Sequence, residues 1–153
     1  MNVEELIRDY LKDAIVMQIA TTHENKPWIC TVHFAYDEKF NLYWISRPDR
    51  RHSQEIANNT SIAGAIVLPH VVGQKVRGIQ FEGNAQQITD PTEAREALTY
   101  FAQRFHTAPT RVENIIAQTD GHLVYKATPA RIVLFDTVNF PDNPQQEYFP
   151  QKK

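Results

Sequence analysis

In the stretch Asn41-Leu42-Tyr43-Trp44-Ile45-Ser46-Arg47-Pro48-Asp49-Arg50-Arg51-His52-Ser53 an apolar, β-prone run breaks into a turn crowded with cations and then opens a polar helix. Leu42 to Ser46 carries the branched and aromatic side chains that fit a pleated surface, Pro48-Asp49 is turn chemistry, and Arg51 to Asn58 has a helical pattern. Arg47, Arg50 and Arg51 stand against the single Asp49, with His52 beside them. Helix-start N–H groups, guanidinium forks and an imidazole are all donors that suit a phosphate dianion. Most arginine-rich turns are nevertheless plain solvated surface, so the flanking elements carry the decision.

Upstream, Asn2 is placed to cap a helix from Val3 to Lys12 whose Leu6, Ile7, Tyr10 and Leu11 share one face. Ala14 to Thr22 reads as a strand, Glu24-Asn25-Lys26-Pro27 as a turn, and Trp28 to Tyr36 as the returning strand of a hairpin. On that second strand Trp28, Cys30, Val32 and Phe34 make an apolar face, and Ile29, Thr31, His33 and Ala35 a mixed one able to line a site. Asp37-Glu38-Lys39 turns the chain into a third strand, Phe40 to Ser46. Downstream, Asn58-Asn59 stops the short helix, and Ser61 to Leu68 is a strand ended by Pro69. Val76 to Ile88 is a long strand whose Gly78 and Gly83 predict a bulge, a bend or a close backbone approach. Asp90-Pro91 opens a helix to Phe105, with Glu93 and Glu96 near the positive end of its dipole and Ala94, Ala97, Leu98, Phe101 and Phe105 as its packing stripe. A further helix over Pro109 to Gln118 and a last strand or strand pair over His122 to Asp136 complete the pattern. The proline- and amide-rich tail, Asn139 to Lys153 with its two terminal lysines, predicts little regular structure. This is an α+β protein on a closed or nearly closed antiparallel barrel, because connections as short as the first ones cannot carry parallel crossovers. One domain over residues 1–138 is expected, with 139–153 an irregular tail.

At 153 residues, 42% hydrophobic and 22% charged, the chain fits one globular domain able to bury its own core. It has no apolar run long enough to span a bilayer and no leader-like start, so a cytoplasmic address without membrane contact is expected. Cys30 is the only cysteine, which rules out an intrachain disulfide and a paired-cysteine zinc site. A formal net charge of -2 argues against a general nucleic-acid binder, whose footprint is a broad positive surface.

Taken in order, Asp37-Glu38-Lys39, Leu42-Tyr43-Trp44-Ile45-Ser46, the cationic turn, Ile56-Ala57-Asn58-Asn59 and the apolar strand after it resemble the flavin-binding core of the pyridoxamine 5′-phosphate oxidase-like split barrels. Arg77-Gly78-Ile79-Gln80-Phe81-Glu82-Gly83-Asn84-Ala85 is similar to that family's long strand, and to a small uncharacterised branch of it. The resemblance implies an FMN-binding split β-barrel with flanking short helices, forming a homodimer with two equivalent FMN sites at the subunit interface. Arg50, Arg51 and His52 stand where the family grips the flavin phosphate. Thr31, Val32 and His33 on the second strand and Trp44, Ile45 and Ser46 on the third would line the isoalloxazine and ribityl chain, partly through backbone groups, with Gln80 added from the long strand. His52 replaces the lysine that FMN-binding members usually carry in the turn. Ile29 and Phe34 replace the Arg and Lys of authentic vitamin B6 oxidases, and their C-terminal Arg/His cluster has no counterpart, which argues against pyridoxamine phosphate oxidation.

With FMN bound, the hydride chemistry is the flavin's and no general acid or base need be encoded. The expectation is therefore an FMN-dependent oxidoreductase acting with a small-molecule substrate or electron donor. The competing expectation is a split barrel that carries flavin or haem without turning it over. His33 is a candidate to touch ring or substrate, against the plainer reading of an exposed or interface histidine. His106 and His122 lack metal-ligand spacing, and no metal site is expected. Nucleophile elbow, Walker loop and dinucleotide fingerprint are all missing from the sequence.

Overall fold

A computed structural model describes residues 2–151 of the chain, so Lys152 and Lys153 of the expected tail lie outside the described residues. In chain order the elements are α1 (Val3–Asp13), β1 (Val16–His23), β2 (Lys26–His33), β3 (Ala35–Tyr36), β4 (Leu42–Ser46), α2 (Arg51–Asn58), β5 (Ser61–Val67), β6 (Arg77–Gln87), α3 (Pro91–Phe105), α4 (Pro109–Ile116), β7 (Leu123–Asp136) and β8 (Gln145–Tyr148). Local chemistry sets the helix ends. Asn2 Oδ1 accepts the Glu4 N–H at 2.9 Å, and Asp90 Oδ2 accepts the Glu93 N–H at 2.8 Å ahead of Pro91, in each case satisfying a donor that the first turn leaves free.

The strands form one antiparallel sheet in the order β2-β1-β5-β6-β7-β4-β3, with β8 paired to β7. Its two end strands, β2 and β3, are joined through the single residue Phe34, so the sheet has to curl until its ends meet. The product is the antiparallel half-barrel that the short connections call for, flanked by four helices among the described residues. Inside the curl Met17, Ile19, Phe34, Leu42, Trp44, Ile66, Ile79, Ile132 and Leu134 pack with Ile7 and Leu11 of α1. Each such side chain contributes roughly 1.5–3 kcal/mol by leaving water. A second, smaller cluster joins Ala97 and Leu98 of α3 and Ile115 of α4 to Tyr43 and Val124 outside the curl.

Several elements differ from the sequence reading, each for a tertiary reason. The expected strand over Trp28 to Tyr36 is broken at Phe34, because the part before it pairs with β1 and the part after it with β4. The first hairpin turns on Glu24 and Asn25, both with positive φ (50° and 59°), as a two-residue turn matching the strand twist requires. Pro27 therefore falls inside β2, tolerable because β2 is an edge strand. Trp28 does not fill the core; it is 43% exposed, while Trp44 is fully buried. The tail contains regular structure, since Gln145–Tyr148 adds β8 to the sheet, with Tyr148 packed edge-on against Phe40 at 5.3 Å and Glu147 paired to Arg131.

Gly83 of β6 acts as a glycine inside a strand is expected to act. The ladder with β7 slips between Glu82 and Gly83, and a Cβ on Gly83 would stand 2.2 Å from the Thr128 carbonyl oxygen. At the end of β7 the buried carboxylate of Asp136 accepts from the Tyr10 hydroxyl, from the N–H groups of Val138 (2.8 Å) and Asn139 (3.0 Å), and from Asn139 Nδ2 (2.5 Å). Burial first, then the Asp136 contact, pushes the Tyr10 phenol up to about 12, so this bridge fastens α1 to the sheet as a neutral donor on an anion.

Candidate functional site

β2 is paired only with β1, so its outer backbone edge is free among the described residues, and every one of its side chains is exposed or half-buried. The corner between α3 and α4 stands off from that edge and leaves an open cavity of about 650 Å³. Thr31, Val32 and His33 of β2 and Ile45 of β4 line it with Phe101, Phe105, His106, Thr107, Ala108, Arg111 and His122. The corner is made by His106, which ends α3 in the left-handed conformation (φ 53°). The His33 ring stacks on Phe105, with centroids 4.9 Å apart and planes inclined by 26°. One carboxylate braces two of the lining side chains, as Asp120 accepts from Nδ1 of His122 and lies 3.6 Å from Nε of Arg111. Behind Phe105, Arg104 donates to the carbonyls of Leu11 and Ala14 and lies over the rings of Phe34 and Tyr36, fastening α3 to the end of α1.

The cationic turn sorts its members by direction. Arg47 is spent on Asp49 in a two-pronged contact (3.2 and 3.1 Å). The side chain of Arg50, the residue ahead of α2, is exposed and makes no hydrogen bond or ion pair among the described residues. Arg51 donates from Nε to Glu55 Oε1 at 2.9 Å and lays its guanidinium over the Trp28 ring at 4.4 Å, leaving both Nη groups without a described acceptor. His52 points inward. Its Nε2 lies 2.7 Å from Ser46 Oγ, and burial, reinforced by Arg50, holds its pKa below the ordinary value against the pull of Glu55. A neutral imidazole near pH 7 follows, and the free guanidinium donors at the head of α2 belong to Arg50 and Arg51.

Of the residues picked out in the sequence, Thr31, Val32, His33 and Ile45 thus share one cavity wall. Trp44 is stacked on Tyr125 in the core (5.5 Å), and Ser46 is occupied by His52. Gln80 lines a separate groove of about 150 Å³ with Ala63, Glu82, Arg131 and Val133. From Trp28 to His33 the strand runs for about 17 Å at 3.3 Å per residue. The Arg51 guanidinium and the cavity therefore lie at the two ends of one exposed strand. The α3–α4 half of the cavity was not legible as a site: Phe101 and Phe105 read as a packing stripe, and nothing local marks the left-handed break at His106. Among the described residues no group of three or more His, Cys, Asp or Glu side chains is placed to hold a metal ion. None of the described helices is long and apolar enough to cross a membrane.

Residues 3–134 match the family model described as pyridoxamine 5′-phosphate oxidase. The chain belongs to that family. Among curated relatives of this family member, a UPF0306 protein of Pasteurella multocida is 29% identical over 98 residues, which make up 63% of this chain and 65% of that protein, just under two thirds of its length. Among solved structures, a haem-binding protein of Mycobacterium smegmatis superposes with a TM-score of 0.78 at 16% identity, covering 99% of this chain but only 59% of that one. A haem storage protein of Vibrio cholerae superposes with a TM-score of 0.68 at 13% identity, over 84% of this chain and 91% of that one. At such identities the structures show a shared fold, the split barrel of the pyridoxamine 5′-phosphate oxidase family.

Proposed function

We propose that this split barrel is an FMN-binding oxidoreductase working on a small molecule as a homodimer, and that it does not oxidise pyridoxamine phosphate. The observation that carries the proposal is the spacing along β2, with an open cavity at His33 and an arginine fork at Trp28. A flat ring with a flexible anionic tail suits that geometry. The wall of Thr31, Val32, His33 and Ile45 would take the ring, the free edge of β2 offers it backbone donors and acceptors, and Arg50 and Arg51 would neutralise the phosphate. Trp44 and Ser46 would act through backbone groups and by seating His52, and Gln80 stands outside this wall. When bound, the flavin supplies the hydride chemistry, and the chain supplies orientation and shelter from water. Ile29 is an exposed aliphatic and Phe34 is fully buried, so neither can hold a substrate phosphate.

A second reading, a carrier of haem or flavin without turnover, is supported by the three histidines His33, His106 and His122 that line the cavity and by the likeness to a haem-binding structure. An absorbance spectrum of the purified protein before and after FMN addition and desalting tests whether flavin or haem is held, and oxidation of NAD(P)H by the FMN-loaded protein separates turnover from carriage. Retained flavin bands are expected, and Arg51→Ala should weaken FMN by about 1.5–3 kcal/mol, the worth of a charge-assisted hydrogen bond. A Soret band instead favours the carrier, and a colourless protein sinks the flavin reading.

A further inference from the structure

Arg51 is held from two directions, and its holder is itself anchored. Glu55, one turn along α2 and 7% exposed, accepts the Arg51 Nε at 2.9 Å through Oε1 and the Thr21 hydroxyl of β1 through Oε2. The Trp28 ring of β2 supports the guanidinium from below at 4.4 Å. Hydrogen bonds from Thr21 and then Arg51 keep the Glu55 carboxyl below the ordinary carboxylate range, although its burial pulls the other way. The Arg51 side chain is still 46% exposed, and the contacts consume Nε alone. A long side chain that would otherwise sample many rotamers is thereby presented as a rigid fork.

We propose that Glu55, seated by Thr21, is a positioning residue that with Trp28 aims the two Nη groups of Arg51 at an incoming phosphate. The identity of that phosphate as the FMN tail rests on the flavin reading above; the positioning itself does not. Two physical accounts of Glu55 give opposite signs. A carboxylate this close to a phosphate repels it, so on charge alone Glu55→Ala should tighten phosphate binding. If Glu55 aims the fork, the same substitution releases Arg51 and weakens it.

The test is calorimetric titration of the FMN-free protein with FMN, with riboflavin, which lacks the phosphate, and with inorganic phosphate. In wild type FMN should bind at least about tenfold tighter than riboflavin, the worth of one charged hydrogen bond. Glu55→Ala should erase most of that preference and leave riboflavin unchanged. Glu55→Gln, which keeps an oxygen for Nε and a donor for Thr21, should restore it, and Arg51→Lys, which keeps charge but loses the fork, should resemble the alanine variant. An unchanged or larger FMN preference in Glu55→Ala overturns the proposal, as does an equal loss for both flavins, which marks a merely structural role. Should Glu55→Ala not fold, Thr21→Val carries the test, with a reduced FMN preference expected and an unchanged one overturning it. If wild type takes up no flavin, the flavin reading fails and inorganic phosphate decides. Uptake that depends on Arg51 and falls in Glu55→Ala upholds positioning, and any other phosphate result overturns it.

Discussion

His52 is the residue whose sequence neighbourhood misleads most about its charge. It stands in a run of cations, yet its ring is turned onto Ser46 and its pKa is held below the ordinary 6.5 by burial and then by Arg50. The unfolded chain therefore binds a proton that the folded chain refuses. Stability from this group is complete above the unfolded pKa and is lost as pH falls from 6.5 through the folded value. The depressed carboxyls of Glu55 and Asp136 act only lower, below their ordinary 4.5 and 3.8. Thermal melts between about pH 7 and 5 should thus lose melting temperature in wild type and much less in His52→Gln, which keeps a polar partner for Ser46. Parallel curves would place the acid sensitivity elsewhere. Tyr10 makes a comparable case at the other end of the barrel. Tyr10→Phe removes one donor from a buried carboxylate and should cost about 1.5–3 kcal/mol in urea unfolding, and a cost near zero would show that Asn139 and the backbone suffice for Asp136.

Elements whose boundaries are set by neighbouring side chains were legible in the sequence, and those set by distant strands were not. The caps Asn2 and Asp90 and the stop at Asn59 are local chemistry and sit where their residue types place them. The break at Phe34 is decided by which strand lies beside each half, and an alternating pattern cannot carry that information. β8 reads as a polar tail because Gln145-Gln146-Glu147-Tyr148 has no apolar face of its own; its anchors lie elsewhere in the chain, Phe40 packing on Tyr148 and Arg131 pairing with Glu147. The candidate site divides along the same line, with its β2 and β4 wall visible in the sequence and its α3–α4 wall hidden behind a packing stripe. Gly83 was legible as a special position, and its role is now specific. Gly83→Ala would press a methyl onto the Thr128 carbonyl at 2.2 Å and the Pro129 Cα at 2.9 Å, both backbone atoms unable to swing aside. A loss of about 1–3 kcal/mol is expected by chemical denaturation, and a neutral result would mean that the slipped register relaxes freely.

On the scale of the whole molecule, a single chain leaves its candidate cavity open on one side. Trp28 and Ile29 on β2 and Ile15 just before β1 are 43%, 61% and 55% exposed, and the cavity beside them opens to solvent. A ring resting on the β2 edge would keep one face in water, where hydride transfer competes with side reactions and electrostatic contacts are weak. A second copy laid over that edge would bury the three apolar side chains and close the cavity with one move, which is the physical reason to expect the homodimer that the resemblance implies. Flavin affinity should then depend on protein concentration. Sedimentation velocity should find a dimer, and FMN should be released on dilution as the dimer dissociates. Ile29→Lys offers the sharper probe, because a surface change of this kind alters the stability of the single chain by only about 0.5 kcal/mol. The same charge would lie in the middle of a covered edge in the dimer and would have to be desolvated there. The expected variant is well folded by circular dichroism, monomeric and colourless after desalting. A monomeric Ile29→Lys protein that still holds FMN as tightly as wild type would show that one chain completes the site, and the second copy would lose its role in it.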